Sequence, residues 1–441
     1  MPMIVFKAVL FAVTSPQSDN LIHDEVMVLA VRPVKVPFWP KKPNAILVDS
    51  TERPTLPQEL IDLILDLTDK KSLKACARVA RSFRPTSQKH IFSDVKLVPA
   101  RSWLKKSLTL KAFSQILSKS PHLALHVRSL TLVEGTGAGS ARWMRTDAFP
   151  TILSMLVNLT TISVGSDLQM DWDSFPPALI MALHATVALP SLTSVRLHNF
   201  RFGRSAELIC LLRSCQNLDS LALSGVSFKR LDSTISTDSR VLDALRSGLS
   251  SLTLDPALVP LLHSVTSSFN VRTLTHLRTT VCSPELEAET QRLLDATENL
   301  THYHIHLSHH HTDSSTISLQ NLSHLRTLEI ALSFEFSTAP DDFDPVNWAG
   351  SILSTSQDPS PIQHVILNVN VDERDLLSLF RLEDLEPFLL APEMTAVRKL
   401  TVNLDSFDVD FNIYSCQRDV REALPLLDAR DMLEIGLLGV S

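Results

Sequence analysis

The stretch LSHLRTLEIAL (322–332) decides the fold, because it is a clear copy of a phrase that recurs along most of the chain. The phrase has the form L-x-x-L-x-L or a close relative. Alternate side chains of a β-strand point to the same face, so the last two apolar residues of the phrase share one interior. The leucine three positions earlier lies in the turn that enters the strand and points into that interior. Each copy therefore predicts one short strand with a buried face.

Nine further copies occur between residues 127 and 404, at irregular spacings of roughly 22–39 residues. They are VRSLTLV (127–133), LVNLTTISV (156–164), LPSLTSVRLHNF (189–200), CQNLDSLALSGVSF (215–228), GLSSLTLD (248–255), VRTLTHLRTT (271–280), ENLTHYHIHL (298–307), IQHVILNVNV (362–371) and VRKLTVNL (397–404). A single unit has nothing to cover its apolar face, whereas stacked units bury it against their neighbours. We therefore expect an α/β fold: an irregular leucine-rich-repeat solenoid with parallel strands inside and helices outside.

Helical patterns fill the spaces between several of these strands. The segment 285–294 (ELEAETQRLL) follows a plausible N-cap serine and a proline suited to the first helical position. The segment 205–213 (SAELICLLR) is a second example. We also expect Glu383, Asp384 and Glu386 to lie on the exposed surface of a helix.

The composition excludes several classes of function. The chain has 441 residues, of which 44% are hydrophobic, so it is long enough for more than one domain. Its formal net charge of −7 disfavours a nucleic-acid partner, which usually requires a basic surface. Only 10 glycines are present, and neither nucleotide-binding glycine motif nor a G-x-S-x-G nucleophile motif occurs. We expect no enzyme activity and no cofactor.

The cysteines indicate the cellular compartment of the protein, and the N-terminal residues argue against a membrane partner. The five cysteines are too few and too scattered for a disulfide framework, which favours the reducing cytoplasm or nucleus. The apolar stretch 3–13 lacks the basic flank and cleavage site of a signal peptide, and it is too short to span a bilayer. We interpret it as an extra strand or a leader. Clustered prolines at 33–54 predict an extended linker.

The segment TLPQELIDLILDLTDKKSLKACARVARSFRPTSQKHIFSDVKL (55–97) resembles an F-box, in particular the F-box-like domains of basidiomycete fungal proteins that carry degenerate leucine-rich repeats. The resemblance covers roughly a tenth of the chain. It lies in the opening Leu56-Pro57-x-Glu59-Leu60-x-x-x-Ile64-Leu65 and continues through Leu73, Cys76 and Val79 to Ala80-Arg81-Ser82-Phe83. The family usually has tryptophan where this chain has Phe83, so the aromatic ring is kept and the indole N–H is lost.

The residues of this segment also predict a small helical module by themselves. Pro57 and Glu59 suit the first turn of a helix. Leu60, Ile61, Ile64 and Leu65 form one apolar stripe, and a second runs from Leu73 to Ala80, onto which Phe83 closes. Three short helices bury little surface, so the remaining apolar face favours a partner. The alternative is a plain helical cap for the solenoid.

The resemblance implies a mechanism and a division into domains. The F-box-like domain (55–97) would dock on a Skp-family adaptor and through it on a cullin, and the repeat domain (98–441) would hold a protein substrate. Residues 1–54 would form an N-terminal extension and linker. The expected adaptor-binding residues are Leu56, Pro57, Leu60, Ile61, Ile64, Leu65, Leu73, Val79 and Phe83, with no catalytic residue. The alternative function is a repeat scaffold that binds proteins without a ubiquitin-ligase role.

Two polar clusters raise the question of a metal site. His302, His304 and His306 alternate and so share one strand face, where they could converge on zinc or nickel, with 309–311 adding three further histidines. A strand edge followed by a polar loop explains them more simply. The acidic residues at 341, 342 and 344 lack the spacing and glycine of an EF-hand and are interpreted as a solvated loop. We expect no metal.

Overall fold

In the computed structural model, every copy of the leucine phrase contains or begins a β-strand, and the strands lie side by side in one sheet. The structure describes residues 56–97, 106–134, 144–230, 248–255, 270–307, 317–332, 345–357, 359–370, 381–405 and 413–437. The strands in these ranges are β1 (Asp94–Leu97), β2 (Ser129–Glu134), β3 (Thr161–Asp171), β4 (Ser194–Arg204), β5 (Ser220–Ser224), β6 (Ser227–Arg230), β7 (Ser251–Leu254), β8 (His276–Val281), β9 (His302–Leu307), β10 (Thr327–Leu332), β11 (His364–Asn370), β12 (Lys399–Asp405) and β13 (Leu433–Leu437).

All of the strand pairs described are parallel, and their order in the sheet follows the chain. The one departure is β6, which pairs with the second half of β4 while β5 pairs with the first half. Sequential parallel order is what stacked repeats produce, because each unit adds its strand beside the previous one. The expected α/β architecture with a parallel sheet is therefore confirmed.

The core occupies one face of the sheet, as the phrase predicts. In β10, Leu328, Ile330 and Leu332 are at most 2% exposed, and Leu325 in the turn before the strand is 1% exposed. The intervening residues of β10 point to the opposite face and are half-buried. We call that opposite surface of the whole sheet the polar face.

The helices in the described ranges are α1 (Gln58–Asp66), α2 (Lys70–Val79), α3 (Arg84–Ser93), α4 (Lys106–Lys119), α5 (Ala148–Met155), α6 (Pro177–Val187), α7 (Ser205–Arg213), α8 (Pro284–Asp295), α9 (Pro345–Ser354), α10 (Leu385–Leu389), α11 (Ile413–Ala423) and α12 (Pro425–Ala429). Short 3-10 turns supplement them at Pro121–His126, Trp172–Ser174, Val271–Thr273, Leu382–Asp384 and Pro392–Met394. The predicted helices at 205–213 and 285–294 are confirmed as α7 and α8. The Ser283 hydroxyl accepts a hydrogen bond from the Leu286 amide at 3.3 Å, so it caps α8 as expected.

Side-chain amides tie neighbouring repeats together in the turns that precede the strands. Asn158, Asn217 and Asn299 each donate to a backbone carbonyl 27 or 33 residues earlier, at 2.8–3.0 Å. These carbonyls lie in turns outside the strand ladders, where a donor other than the sheet backbone must serve them. The repeated asparagine therefore contributes to stacking as well as to the turn.

The prediction for Glu386 is wrong. This carboxylate is only 8% exposed, and its Oε1 atom accepts hydrogen bonds from the amides of Leu426 and Leu427 at 2.7 and 2.9 Å. It thereby accepts hydrogen bonds from backbone amides in the first turn of α12, which have no acceptor within that helix. Local sequence does not reveal a partner 40 residues away.

Every described residue from Gln58 onward belongs to one compact unit. The predicted N-terminal leader, the proline-rich linker and the acidic loop at 341–344 lie outside the described residues. Among the helices that the structure describes, none has both the length and the apolar composition that a membrane span requires.

Candidate functional site

The first three helices, α1 to α3, contact one another through polar groups. Along α1, Gln58, Asp62 and Asp66 recur every four residues and so lie on one face of the helix. Thr86 of α3 donates a hydrogen bond to the Asp62 carboxylate at 2.6 Å, and His90 Nε2 lies 2.6 Å from Asp66 Oδ1. The hydrogen bond from Thr86 lowers the pKa of Asp62. A polar side of α1 therefore faces the protein.

Four apolar residues of α1 and its C-terminal end face solvent, whereas Leu65 faces the interior. Leu60 is 45% exposed, Leu63 58%, Ile64 56% and Leu67 91%, and we call these four residues the α1 stripe. A surface helix normally turns its apolar stripe to the core and its polar residues to water. Contiguous exposed apolar residues of this kind mark interaction surfaces. The α1 stripe is therefore the strongest candidate for a protein-binding site in this region.

The structure divides the predicted adaptor-binding residues into two groups. Leu65 and Leu73 are 2% exposed and hold the helices together, while Ile61 and Phe83 are half-buried. The others are exposed and free to contact a partner: Leu56, Pro57, Leu60, Ile64 and Val79.

Two residues of the α1 stripe are absent from the predicted set. Leu63 follows Leu60 at i+3, the spacing that places side chains on one helix face, and Leu67 is the first residue after α1 and would extend the same spacing at i+7. That periodicity was available in the sequence. A pattern at i, i+1, i+4 and i+5 fits the same segment and selects Ile61 and Leu65 in their place.

Local capping fixes the ends of these helices. The Asp69 carboxylate accepts from the amides of Lys71 and Ser72 at 2.9 and 3.0 Å and so begins α2. Hydrogen bonds from Ser72 lower the pKa of Asp69. Lys70 Nζ reaches the Asp94 carbonyl at 2.9 Å, which joins α2 to the start of β1.

The three helices continue directly into the sheet. α3 contacts both β1 and the 3-10 turn Pro121–His126, and β1 pairs in register with β2. β1 occupies the end of the segment that resembles an F-box, residues 94–97. The helices that carry the α1 stripe therefore pack directly against the first strands of the sheet, β1 and β2.

A second candidate surface is a recess in the polar face over β7 to β10. Its volume is about 250 Å³, and its polar walls include Ser251, Thr253, His276, Arg278 and His302. We call it the histidine recess. The His276 and His302 rings, in register on β8 and β9, are stacked with centroids 4.4 Å apart. Burial, with a smaller contribution from His276, lowers the pKa of His302.

From β9 to β13, polar side chains on neighbouring strands of the polar face bond to one another. His304 Nδ1 lies 2.9 Å from Glu329 Oε1, and Asn368 donates to the same oxygen. The hydrogen bond with His304 lowers the pKa of Glu329, with Asn368 adding to it. On the next strands, Lys399 forms an ion pair with Glu434 at 2.6 Å.

The alternating histidines share a strand face, as predicted, since His302, His304 and His306 flank the buried residues of β9. In the ranges that the structure covers, no group of three or more histidine, cysteine, aspartate or glutamate side chains is arranged to hold a metal ion. The neighbouring histidines at 309–311 lie outside the described residues.

No protein-family model matches the chain, and no curated protein matches it either. The fold and the two surfaces define a parallel-sheet α/β protein with an exposed apolar stripe near residue 60 and a histidine-lined recess near residue 276. Its function is therefore inferred from these residues.

Proposed function

We propose that this protein is a substrate-recognition subunit of a Skp–cullin–F-box-type ubiquitin ligase. The observation that carries the proposal is the exposure of Leu60, Leu63 and Ile64 of α1, while the aspartates of the same helix bond to α3 and Leu65 alone is buried. The segment in which this occurs is the one that resembles an F-box. The proposed partner of the α1 stripe is a Skp-family adaptor.

The α1 stripe supplies enough apolar surface for a specific contact. Fully burying a leucine or isoleucine side chain contributes about 1.5–3 kcal/mol, so completing the burial of a half-exposed one contributes about 1 kcal/mol. The four residues of the stripe together offer about 4 kcal/mol, or about a thousandfold in affinity. Val79 of α2 is a further exposed apolar residue of the same segment.

In the proposed complex, the adaptor links the chain to a cullin, and the repeat domain binds a protein substrate. Ubiquitin transfer would be accelerated because the substrate is held close to the conjugating enzyme. The chain itself would contribute binding and position. Leu65 and Leu73 would maintain the helical module without touching the adaptor.

The experiment is co-purification of the full chain with a fungal Skp-family protein. The test variant carries Leu60→Asp and Ile64→Asp, which place two charges in the α1 stripe. Burying them against the adaptor costs more than the lost apolar contact alone, so we expect affinity to fall by more than about a hundredfold. Because both residues are exposed, the far-ultraviolet circular dichroism should be unchanged.

The matched control carries Leu168→Asp and Met181→Asp, which replace residues of β3 and α6 that are 56% and 73% exposed. It should bind the adaptor like the wild type. Failure of the wild type to co-purify, or equal binding by the test variant, would refute the ligase proposal. The remaining interpretation would then be a repeat scaffold with no ubiquitin-ligase role.

A further inference from the structure

The polar face of the sheet changes character between β7 and β8. Ser220 and Ser251 stand in register with His276, and Ala222 and Thr253 stand in register with Arg278. Small side chains on β5 and β7 therefore adjoin long, nitrogen-bearing side chains on β8. This step in side-chain size creates the histidine recess.

The hydrogen bonds around the stacked rings fix which ring nitrogen remains available. The Thr275 hydroxyl donates its one hydrogen to the Ser250 carbonyl at 3.0 Å, and it lies 2.9 Å from His276 Nδ1. In the same way, the Thr301 hydroxyl donates its hydrogen to the Thr275 carbonyl at 2.9 Å and lies 2.9 Å from His302 Nδ1. Each Nδ1 must therefore donate to its threonine, because the hydroxyl hydrogen is already used. Each Nε2 is left for a ligand.

An anion suits these two nitrogens. Within the described part of the chain, neither Nε2 has a hydrogen-bond partner. A neutral imidazole with Nδ1 protonated presents a lone pair at Nε2, and a nearby negative charge favours its conversion to an N–H donor. Burial and the neighbouring His276 ring lower the pKa of His302, so the negative charge of the bound anion is what would stabilise the protonated form of these stacked rings.

Arg278 supplies a permanent positive charge in the same recess. Its side chain is exposed and makes no hydrogen bond or ion pair with any described residue. The acidic residue of the recess walls, Glu329, bonds to His304 and Asn368 and interacts with Arg278 only through the electrostatic field. In addition, His304 Nε2 is buried and has no hydrogen-bond partner among the described residues. The recess therefore holds one guanidinium and one buried imidazole nitrogen that have no hydrogen-bond partner among the described residues.

We propose that the histidine recess binds an anionic side chain, a carboxylate or a phosphate monoester, of an extended polypeptide. His276 and His302 would contact it through Nε2, and Arg278 through its guanidinium. As a statement about substrate class, this rests on the proposed function. The binding itself needs no adaptor, so it is measured separately.

The size of the recess and the charge of the chain favour a peptide over other anions. About 250 Å³ is below the range of about 300–1,000 Å³ typical of drug-sized ligands, so the recess fits one side-chain group. A nucleic acid would bring many phosphates to a chain of net charge −7, with Glu329 and Glu434 on the same face. A peptide brings one anion and leaves the rest of its backbone on the open polar face.

The experiment uses immobilised full-length chain and three peptide libraries with randomised flanking positions. The libraries carry a central phosphoserine, glutamate or serine. We expect the chain to retain one or both anionic libraries at least about tenfold more than the serine library, since a charge-assisted hydrogen bond is worth a tenfold or greater factor. Comparison of the phosphoserine and glutamate arms identifies the source of the anion. Inorganic phosphate should release the retained peptides.

Two variants and a matched control locate the site. Arg278→Gln, and the double change His276→Gln plus His302→Gln, should each reduce retention of the preferred library about tenfold or more. Arg196→Gln removes an exposed arginine from the same row of the polar face, on β4, and should leave retention unchanged. Equal retention of all three libraries would overturn the proposal, as would a loss in Arg196→Gln as large as that in Arg278→Gln.

Discussion

Glu134 gives the chain a stability that depends on pH in an unusual direction. In β2 the inward positions are Leu130, Leu132 and Glu134, so a carboxyl group occupies a place that the repeat pattern assigns to an apolar residue. Glu134 is 2% exposed, and among the described residues its Oε1 atom has no hydrogen-bond partner. Burial raises the pKa of Glu134 to about 7, and the charge of Arg145 opposes this only in part.

The sign follows from where the proton is held. Between pH 4.5, the ordinary pKa of a glutamate, and pH 7, the folded chain keeps the Glu134 proton and the unfolded chain releases it. The free energy of unfolding therefore falls as pH rises through this window and levels off above it. The difference between the two pKa values corresponds to about 3 kcal/mol in total.

The perturbation is Glu134→Gln, which removes the ionisation and keeps the size of the side chain. Between about pH 5 and about pH 8 the wild type should lose about 2.5 kcal/mol of unfolding free energy that the variant keeps. The variant should therefore gain about 2.5 kcal/mol relative to the wild type over that range. Urea titrations followed by circular dichroism measure it. Glu383→Gln, at an exposed carboxylate of the Leu382–Asp384 turn, is the control and should show no such change. A difference for Glu134→Gln that does not vary with pH would refute the reasoning.

Two further predictions concern stability alone. Leu65→Ala should lower the free energy of unfolding by about 2–5 kcal/mol, because its side chain is buried. Leu67→Ala, only two residues later, should change it by less than about 0.5 kcal/mol, and an equally large loss there would contradict the exposure of Leu67. Glu386→Ala removes the acceptor of two amide hydrogen bonds at the start of α12. It should lower the free energy of unfolding, measured by heat or urea, by about 1–3 kcal/mol. An unchanged stability would show that water accepts hydrogen bonds from those amides equally well.

The position of the strands was largely predictable from the sequence. Each quoted copy of the leucine phrase contains or begins one of the strands β2 to β12, and the copy at 215–228 contains β5 and the start of β6. Alternation of apolar residues specifies a half-buried strand without reference to the rest of the chain. The exceptions are informative. β1 and β13 were not predicted, since DVKL (94–97) and LEIGL (433–437) are short and contain few repeat leucines. They lie at the two edges of the sheet, where only one neighbour is needed.

The helical segment at 58–93 was predicted in position, and its membership of the F-box family stays a prediction. Which of its apolar residues face outward was not predictable. The sequence of α1 offers leucine or isoleucine at Leu60, Ile61, Leu63, Ile64 and Leu65, so apolar periodicity alone permits more than one buried face. The choice is made by α3, whose Thr86 and His90 bind the aspartates of α1.

The sequence by itself therefore determined the repeating parallel architecture, because the alternation that makes a strand is a relation between residues two positions apart. Tertiary structure decided the two surfaces. The α1 stripe depends on hydrogen bonds between α1 and α3, across 24 residues. The histidine recess depends on the parallel register that sets His276 beside His302. Neither contact can be read from neighbouring residues in the sequence. The strand register follows from the whole stack of strands, and the outward face of α1 follows from the helix packed against it.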